Sequence, residues 1–169
     1  MASKNGRALL RAAPADTDDP YVIAARRRLA RWEDLDAARL GAGERPYLVS
    51  EEEHRRIREA FAESGVTFLQ ADASAVTTEH EFLVLLGEVH AFPEYYGENW
   101  AAFLDCYADV FEADDAPLVL TVRGLDRLRD TDFRAFLRCV HELESATESV
   151  PLLRPVIPRK VVNLYVGAW

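Results

Sequence analysis

The chain has 169 residues, of which 49% are apolar and 29% are charged, and its formal net charge at pH 7 is −9. This length predicts one domain with a short appendage. The negative charge argues against nucleic-acid binding by bulk electrostatics, and no apolar run reaches the ~18 residues of a transmembrane helix. We therefore expect a cytoplasmic protein without a membrane segment.

The N-terminal third shows few regular patterns. Residues 1–20 are small and polar without a hydrophobic period, so we expect this N-terminus to be disordered. Residues 21–65 form an accessory segment of unknown role. Within it, Ser50 and Glu53 have the spacing of a capping box, which predicts a helix over residues 51–64.

From residue 66 onward, strands and helices alternate. Short apolar runs predict strands over residues 66–69, 117–122 and 161–166. Apolar residues at helical spacing predict three helices, which begin near Thr78, Asn99 and Asp130 or Thr131. In the third helix the residues expected to face the core are Phe133, Phe136, Leu137 and Val140, with Leu143 as a further candidate. Strands separated by helices pair in parallel, so we predict an α/β domain over residues 66–169.

The acidic residues are concentrated in one part of the chain. Residues 59–122 contain 13 Asp or Glu and no Lys or Arg, whereas each flanking part has a small positive charge. Two interpretations remain open. The segment forms an ordinary solvated acidic surface, or it attracts a strongly basic partner at long range and raises the association rate.

The stretch PEYYGENW, residues 93–100, is the least generic part of the sequence. Two tyrosines and a glycine precede Asn99, a favourable helix N-cap, and the following helix is expected to present Asp105 at the surface. Tyrosines beside a carboxylate combine rigid apolar area with a charge that pairs with Arg or Lys. The alternative is that the tyrosines only cover the helix N-terminus and that Asp105 is solvated.

The stretch PEYYGENWAAFLDC resembles the signature of the barstar family, intracellular inhibitors of the secreted ribonuclease barnase. The resemblance covers about residues 66–166. It implies a three-layer α/β fold with a three-stranded parallel sheet flanked by helices, to which the N-terminal accessory segment is added. It also implies that the loop and the second helix enter a ribonuclease active site, where Asp105 occupies the site of a substrate phosphate.

The same resemblance implies a set of contact residues, namely Tyr95, Asn99, Trp100, Leu104 and Asp105. We extend this predicted partner-binding surface to neighbouring positions, namely Tyr96, Gly97, Ala101, Ala108 and Asp109. The sequence departs from the family at Ala101, where an acid is usual, and at Leu104, where a large aromatic is usual. These departures predict a basic secreted partner other than barnase itself, either another guanyl-type microbial ribonuclease or a toxin domain.

Enzymatic chemistry has little support in the sequence. Cys106 and Cys139 fall within apolar helical patterns and are expected to be reduced core thiols. The acidic surroundings of Cys106 raise its thiol pKa and disfavour a nucleophilic role. His54 and His80 are expected to face solvent. The sequence has no GxSxG or HExxH motif and no phosphate-binding glycine loop.

These patterns and the resemblance to the barstar family together predict a non-enzymatic, acidic ribonuclease inhibitor, comparable to an immunity protein. We expect a monomer that forms a 1:1 complex with its partner, binds neither nucleic acid nor membrane, and uses no metal or cofactor. The alternative is a protein-binding module without inhibitory activity, or an immunity protein against a different toxin, that reuses the same fold.

Overall fold

The computed structural model describes residues 45–62, 65–113, 116–153 and 160–169. Residues 1–20, which we predict to be disordered, and residues 21–44 of the accessory segment lie outside these ranges. The strands are β1 (Tyr47–Val49), β2 (Thr67–Asp72), β3 (Leu118–Arg123) and β4 (Val161–Val166). The helices are α1 (Glu51–Phe61), α2 (Glu79–Val89), α3 (Trp100–Ala113), α4 (Asp126–Thr131) and α5 (Phe133–Leu153).

The four strands form one parallel sheet in the order β1-β4-β3-β2. The three predicted strands are present, but the expected total of three is wrong because β1 adds a fourth strand, with Tyr47 opposite Leu164. A strand of three residues is too short to show an alternating pattern in the sequence. Its pairing covers one edge of β4, whose six residues are all buried. β1 comes from the segment predicted to be accessory, and the division at residue 65 stays a prediction.

Helices cover both faces of the sheet, which gives three layers. Successive residues of a strand point to opposite faces, and β3 shows this clearly. Val119 packs with Ile57 and Phe61 of α1 on one face. Leu118 and Leu120 point to the other face, into the larger core formed with α2, α3, α4 and α5.

The predicted capping boxes of α1 and α2 differ in one detail. At α1 the Ser50 hydroxyl accepts from the Glu53 amide at 3.2 Å, and the Glu53 carboxylate accepts from the Ser50 amide at 2.8 Å. At α2 the Thr78 hydroxyl accepts from the Glu81 amide at 3.2 Å. The Glu81 carboxylate, however, accepts from the amide and hydroxyl of Thr77 instead of Thr78. Both helices therefore begin where the sequence predicts.

The third predicted helix corresponds to α5, but it does not begin at Asp130 or Thr131, because both residues belong to the short helix α4, which the sequence pattern does not predict. Asp132 caps α5 by accepting from the Ala135 amide at 3.0 Å. The expectation that Phe133 and Leu137 face the core is wrong, because their side chains are 58% and 50% exposed. Phe136, Val140 and Leu143 are buried, as predicted, and together with Cys139 they form the buried face of the first turns of α5. This face is rotated away from the two exposed residues.

His54 joins α1 to the sheet, and the expectation that it faces solvent is wrong because it is only 1% exposed. It shares the buried face of α1 with Ile57 and Phe61. Its Nε2 lies 3.2 Å from Thr121 Oγ1, and its Nδ1 lies 2.9 Å from a guanidinium nitrogen of Arg123. Since a guanidinium can only donate, Nδ1 accepts and the ring proton resides on Nε2, which donates to Thr121.

This neutral histidine predicts a pH-dependent stability. Burial lowers the pKa of His54 from its ordinary 6.5, and the charge of Arg123 lowers it further; Arg58 acts in the same direction and Glu51 opposes it. The unfolded chain therefore binds the proton more readily. The contribution of His54 to stability is complete above about pH 6.5 and is lost as the pH falls towards the lower pKa of the folded state.

We expect the free energy of unfolding, measured by urea titration, to fall more steeply below about pH 6.5 in the parent protein than in His54→Gln. The glutamine variant keeps polar atoms at this position but does not titrate. Equal pH dependence of the two proteins would contradict the role given to His54.

Candidate functional site

The loop between α2 and α3 is anchored by Tyr96. Its ring packs against Phe92 with the centroids 5.0 Å apart, and a Cβ atom added at Gly87 would lie 2.6 Å from it. Its hydroxyl donates to the carbonyl oxygen of Leu83 at 3.2 Å. Burial raises the pKa of Tyr96 to about 12, so the hydroxyl remains a donor at neutral pH. Tyr95, by contrast, is 78% exposed.

Asn99 caps α3, as predicted. Its Oδ1 accepts from the Ala102 amide at 3.0 Å, and its Nδ2 donates to the carbonyl oxygen of Gly97 at 2.9 Å. Glu98, just before the cap, has a left-handed backbone with a φ of +50°. Together these features set the direction in which the chain enters α3.

Part of the Trp100 side chain packs against other residues of the protein and is not available to a partner. Its ring packs against Phe82 and Phe103, with centroid separations of 6.5 and 5.6 Å. Its Nε1 donates to Glu79 Oε1 at 2.6 Å. Because the side chain is half-buried, only part of the ring is left for a partner.

α3 presents a short row of exposed residues beyond Trp100, namely Ala101, Leu104, Asp105 and Asp109. The opposite side of the helix is held in the core by Phe103 and Tyr107, which are fully buried. Ala108 is also buried and packs in the same core, so it offers little surface to a partner. Among the predicted partner-binding residues, the structure thus exposes Tyr95, Gly97, Asn99, Ala101, Leu104, Asp105 and Asp109.

The exposed face of α3 carries two carboxylates, those of Asp105 and Asp109. Within the described residues, neither Asp105 nor Asp109 forms an ion pair, and the segment 59–122 contains no Lys or Arg to supply one. An unpaired carboxylate on a rigid helix can accept charge-assisted hydrogen bonds from an incoming cation.

Both cysteines are buried, and their thiols remain protonated at neutral pH. Burial raises the pKa of the Cys106 thiol, and the charges of Asp109 and Asp105 raise it further. Burial raises the pKa of Cys139 to about 12. Since the thiolate is the reactive form, neither residue is suited to act as a nucleophile at neutral pH.

Two kinds of feature are absent from the part of the chain that the structure describes. No group of three or more His, Cys, Asp or Glu residues there has an arrangement that could hold a metal ion. No helix in that part is long and apolar enough to cross a membrane.

The model of the family described as Barstar (barnase inhibitor) matches residues 66–155. This chain belongs to the barstar family. The matched residues include the loop, α3 and all ten residues of the predicted partner-binding surface. β1 and α1 precede the matched part. Among curated proteins, no sequence matches this chain significantly.

Solved structures extend the comparison to the fold. The chain is similar to the ORC2 protein of Aeropyrum pernix with ADPNP and ADP, with a TM-score of 0.54 and 14% identity over 92% of this chain and 42% of that chain. For the ADP form of the same protein the TM-score is 0.52, with 16% identity over 84% and 40% of the two chains. This chain spans about two fifths of these solved chains. At such low identity the likeness concerns the fold alone.

Proposed function

We propose that this chain is an intracellular inhibitor of a guanyl-type microbial ribonuclease and that it acts as a monomer in a 1:1 complex. The proposal rests mainly on the environment of Asp105. Its carboxylate is exposed, forms no ion pair within the described residues, and lies in the part of the chain that matches the barstar family.

The chemistry of the partner explains why a carboxylate suits this position. A ribonuclease that binds RNA phosphates needs a basic cleft. A carboxylate placed in that cleft accepts hydrogen bonds from the same Arg, Lys or protonated His groups that hold a phosphate. Asp109, one turn further along α3, adds negative charge, and the exposed ring of Tyr95 adds rigid apolar area. Asn99 and Trp100 support this surface by fixing the start of the helix.

A second candidate is a binding module without inhibitory activity, or an immunity protein against a different toxin. Ala101 favours it, because the family usually has an acid at this exposed position. The likeness to ORC2 adds no third candidate, since the sequence lacks a glycine-rich phosphate-binding loop ahead of a helix.

The proposal is tested by titrating the purified chain into barnase and into other secreted guanyl-specific ribonucleases while RNA cleavage is measured. We expect cleavage by at least one enzyme to disappear at a 1:1 molar ratio. Binding that leaves cleavage intact would favour the second candidate. Full activity of every enzyme without binding would reject the ribonuclease as the partner.

A salt series tests whether the acidic segment attracts the partner. If the charge of residues 59–122 steers association, the association rate constant should fall steeply between about 0.05 and 0.5 M salt, while the dissociation rate constant changes less. Both constants are measured by stopped-flow mixing of the chain with the free form of the ribonuclease that it inhibits. An association rate that is independent of salt would mean that the segment is only a solvated surface.

A further inference from the structure

The first turn of α2 contacts both sides of the point where the loop becomes α3. Glu79 Oε1 accepts from Trp100 Nε1 at 2.6 Å. The next residue, His80, has its Nε2 3.4 Å from Glu98 Oε2. Asn99, the N-cap of α3, lies between these two contacts. Two consecutive residues of α2 thus contact the residues on either side of the cap.

Glu79 also binds a third helix. The same oxygen that accepts from Trp100 lies 3.1 Å from Nε of Arg138 on α5, and the Glu79 side chain is only 28% exposed. A half-buried, charged acceptor forms stronger hydrogen bonds than a neutral one. Its position at the start of α2 is favourable, since helix N-termini stabilise negative charge. α2, α3 and α5 therefore converge on one carboxylate.

We propose that Glu79, supported by His80, is the positioning residue of the recognition surface. Neither residue needs to touch the partner. Glu79 fixes the indole of Trp100, and the rigid first turns of α3 carry that constraint to Asp105, about 7.5 Å further along the helix axis. The helix is thereby oriented before binding, so that less conformational freedom is lost when the complex forms. This inference rests on the proposed function only where it concerns binding.

The first test needs no partner. In the free protein, Trp100→Phe identifies the indole N–H resonance of Trp100 in a ¹H–¹⁵N NMR spectrum. We expect Glu79→Ala to shift this resonance and to accelerate hydrogen exchange of the amides of residues 102–105. Glu79→Gln keeps an acceptor oxygen and should stay close to the parent protein. Glu88→Ala, a matched removal of an exposed carboxylate near the other end of α2, should change neither signal.

The second test measures the dissociation constant with the ribonuclease that the parent protein inhibits in the titration described above. Glu79→Ala should weaken binding by roughly tenfold, as expected for the loss of one hydrogen bond to a charged group, and Glu79→Gln should restore most of it. In a double-mutant cycle, Glu79→Ala should have little further effect in Trp100→Phe, because the bond is already absent. Circular dichroism confirms that each variant is folded.

The two tests separate the two proposals. If the parent protein binds none of the ribonucleases in the titration, the proposed inhibition is rejected, and the NMR experiment alone decides whether Glu79 holds the start of α3. An unchanged indole resonance and unchanged exchange in Glu79→Ala would overturn the positioning role. Fully additive effects of Glu79→Ala and Trp100→Phe on affinity would overturn it as well.

Discussion

Asp105→Ala is expected to weaken inhibition of the target ribonuclease by more than about 2 kcal/mol, or about thirtyfold in Kd. This is the threshold for an interface hot spot, a class for which the barnase–barstar pair is itself a standard example. In the complex, the Asp105 carboxylate would lie among Arg, Lys or protonated His groups with water excluded. Removing it leaves those cations buried without a partner, which costs more than the loss of the hydrogen bonds themselves.

The matched control is Glu88→Ala, which removes one exposed carboxylate from α2. It should cost about 1 kcal/mol or less and should act mainly through the association rate. Both variants should keep the thermal transition of the parent protein, because an exposed carboxylate contributes little to the core. If Asp105→Ala inhibits as strongly as the parent protein, the phosphate-mimic mechanism is wrong, whatever else the interface does.

Phe61→Ala should lower the free energy of unfolding by about 3–5 kcal/mol. Phe61 is 2% exposed and belongs to the core on the α1 face of the sheet, together with Ile57 and Val119. Its ring also meets the edge of Phe68, with the centroids 6.0 Å apart. Truncation leaves a cavity between α1 and the sheet that the neighbouring residues fill only in part. The free energy is measured by urea titration.

The Phe61→Ala variant tests whether α1, which lies outside the residues matched by the family model, belongs to the same folding unit as the matched residues. Glu59→Ala, two residues away on the exposed side of α1, should change the free energy of unfolding by less than about 1 kcal/mol. If Phe61→Ala is as stable as Glu59→Ala, α1 is an appendage, and the predicted division at residue 65 is also an energetic boundary.

Features encoded by neighbouring residues could be predicted from the sequence. Ser50 and Thr78 cap their helices, and Asn99 caps α3, because a capping hydroxyl or amide reaches a backbone amide two or three residues away. The runs that form β2, β3 and β4 were recognisable as continuous apolar segments bounded by turns. The exposure of Asp105 followed from its place on the polar side of α3, given that Phe103 and Tyr107 are apolar.

Other features depended on which segments meet in space. β1 has three residues and becomes a strand only because the edge of β4 is available to pair with it. His54 looks like a solvent-exposed residue on a charged helix, yet its neighbours Thr121 and Arg123 lie almost 70 positions away. Phe133 and Leu137 have the spacing of a core face but remain exposed, because a different stripe of α5 packs in the core.

The features of the candidate site also fall into these two groups, those predictable from local sequence and those that depend on tertiary contacts. The sequence by itself determined the loop, the N-cap and the exposed acid, since these depend on local spacing and on residue type. Only the tertiary structure decided that Ala108 is buried and that Glu79 holds Trp100 and Arg138. A helical pattern shows which side of a helix is apolar, but it does not reveal which distant side chain will be opposite. The partner of each polar side chain is determined only when the helices pack, because a polar group that becomes buried then needs a hydrogen-bond or ion-pair partner.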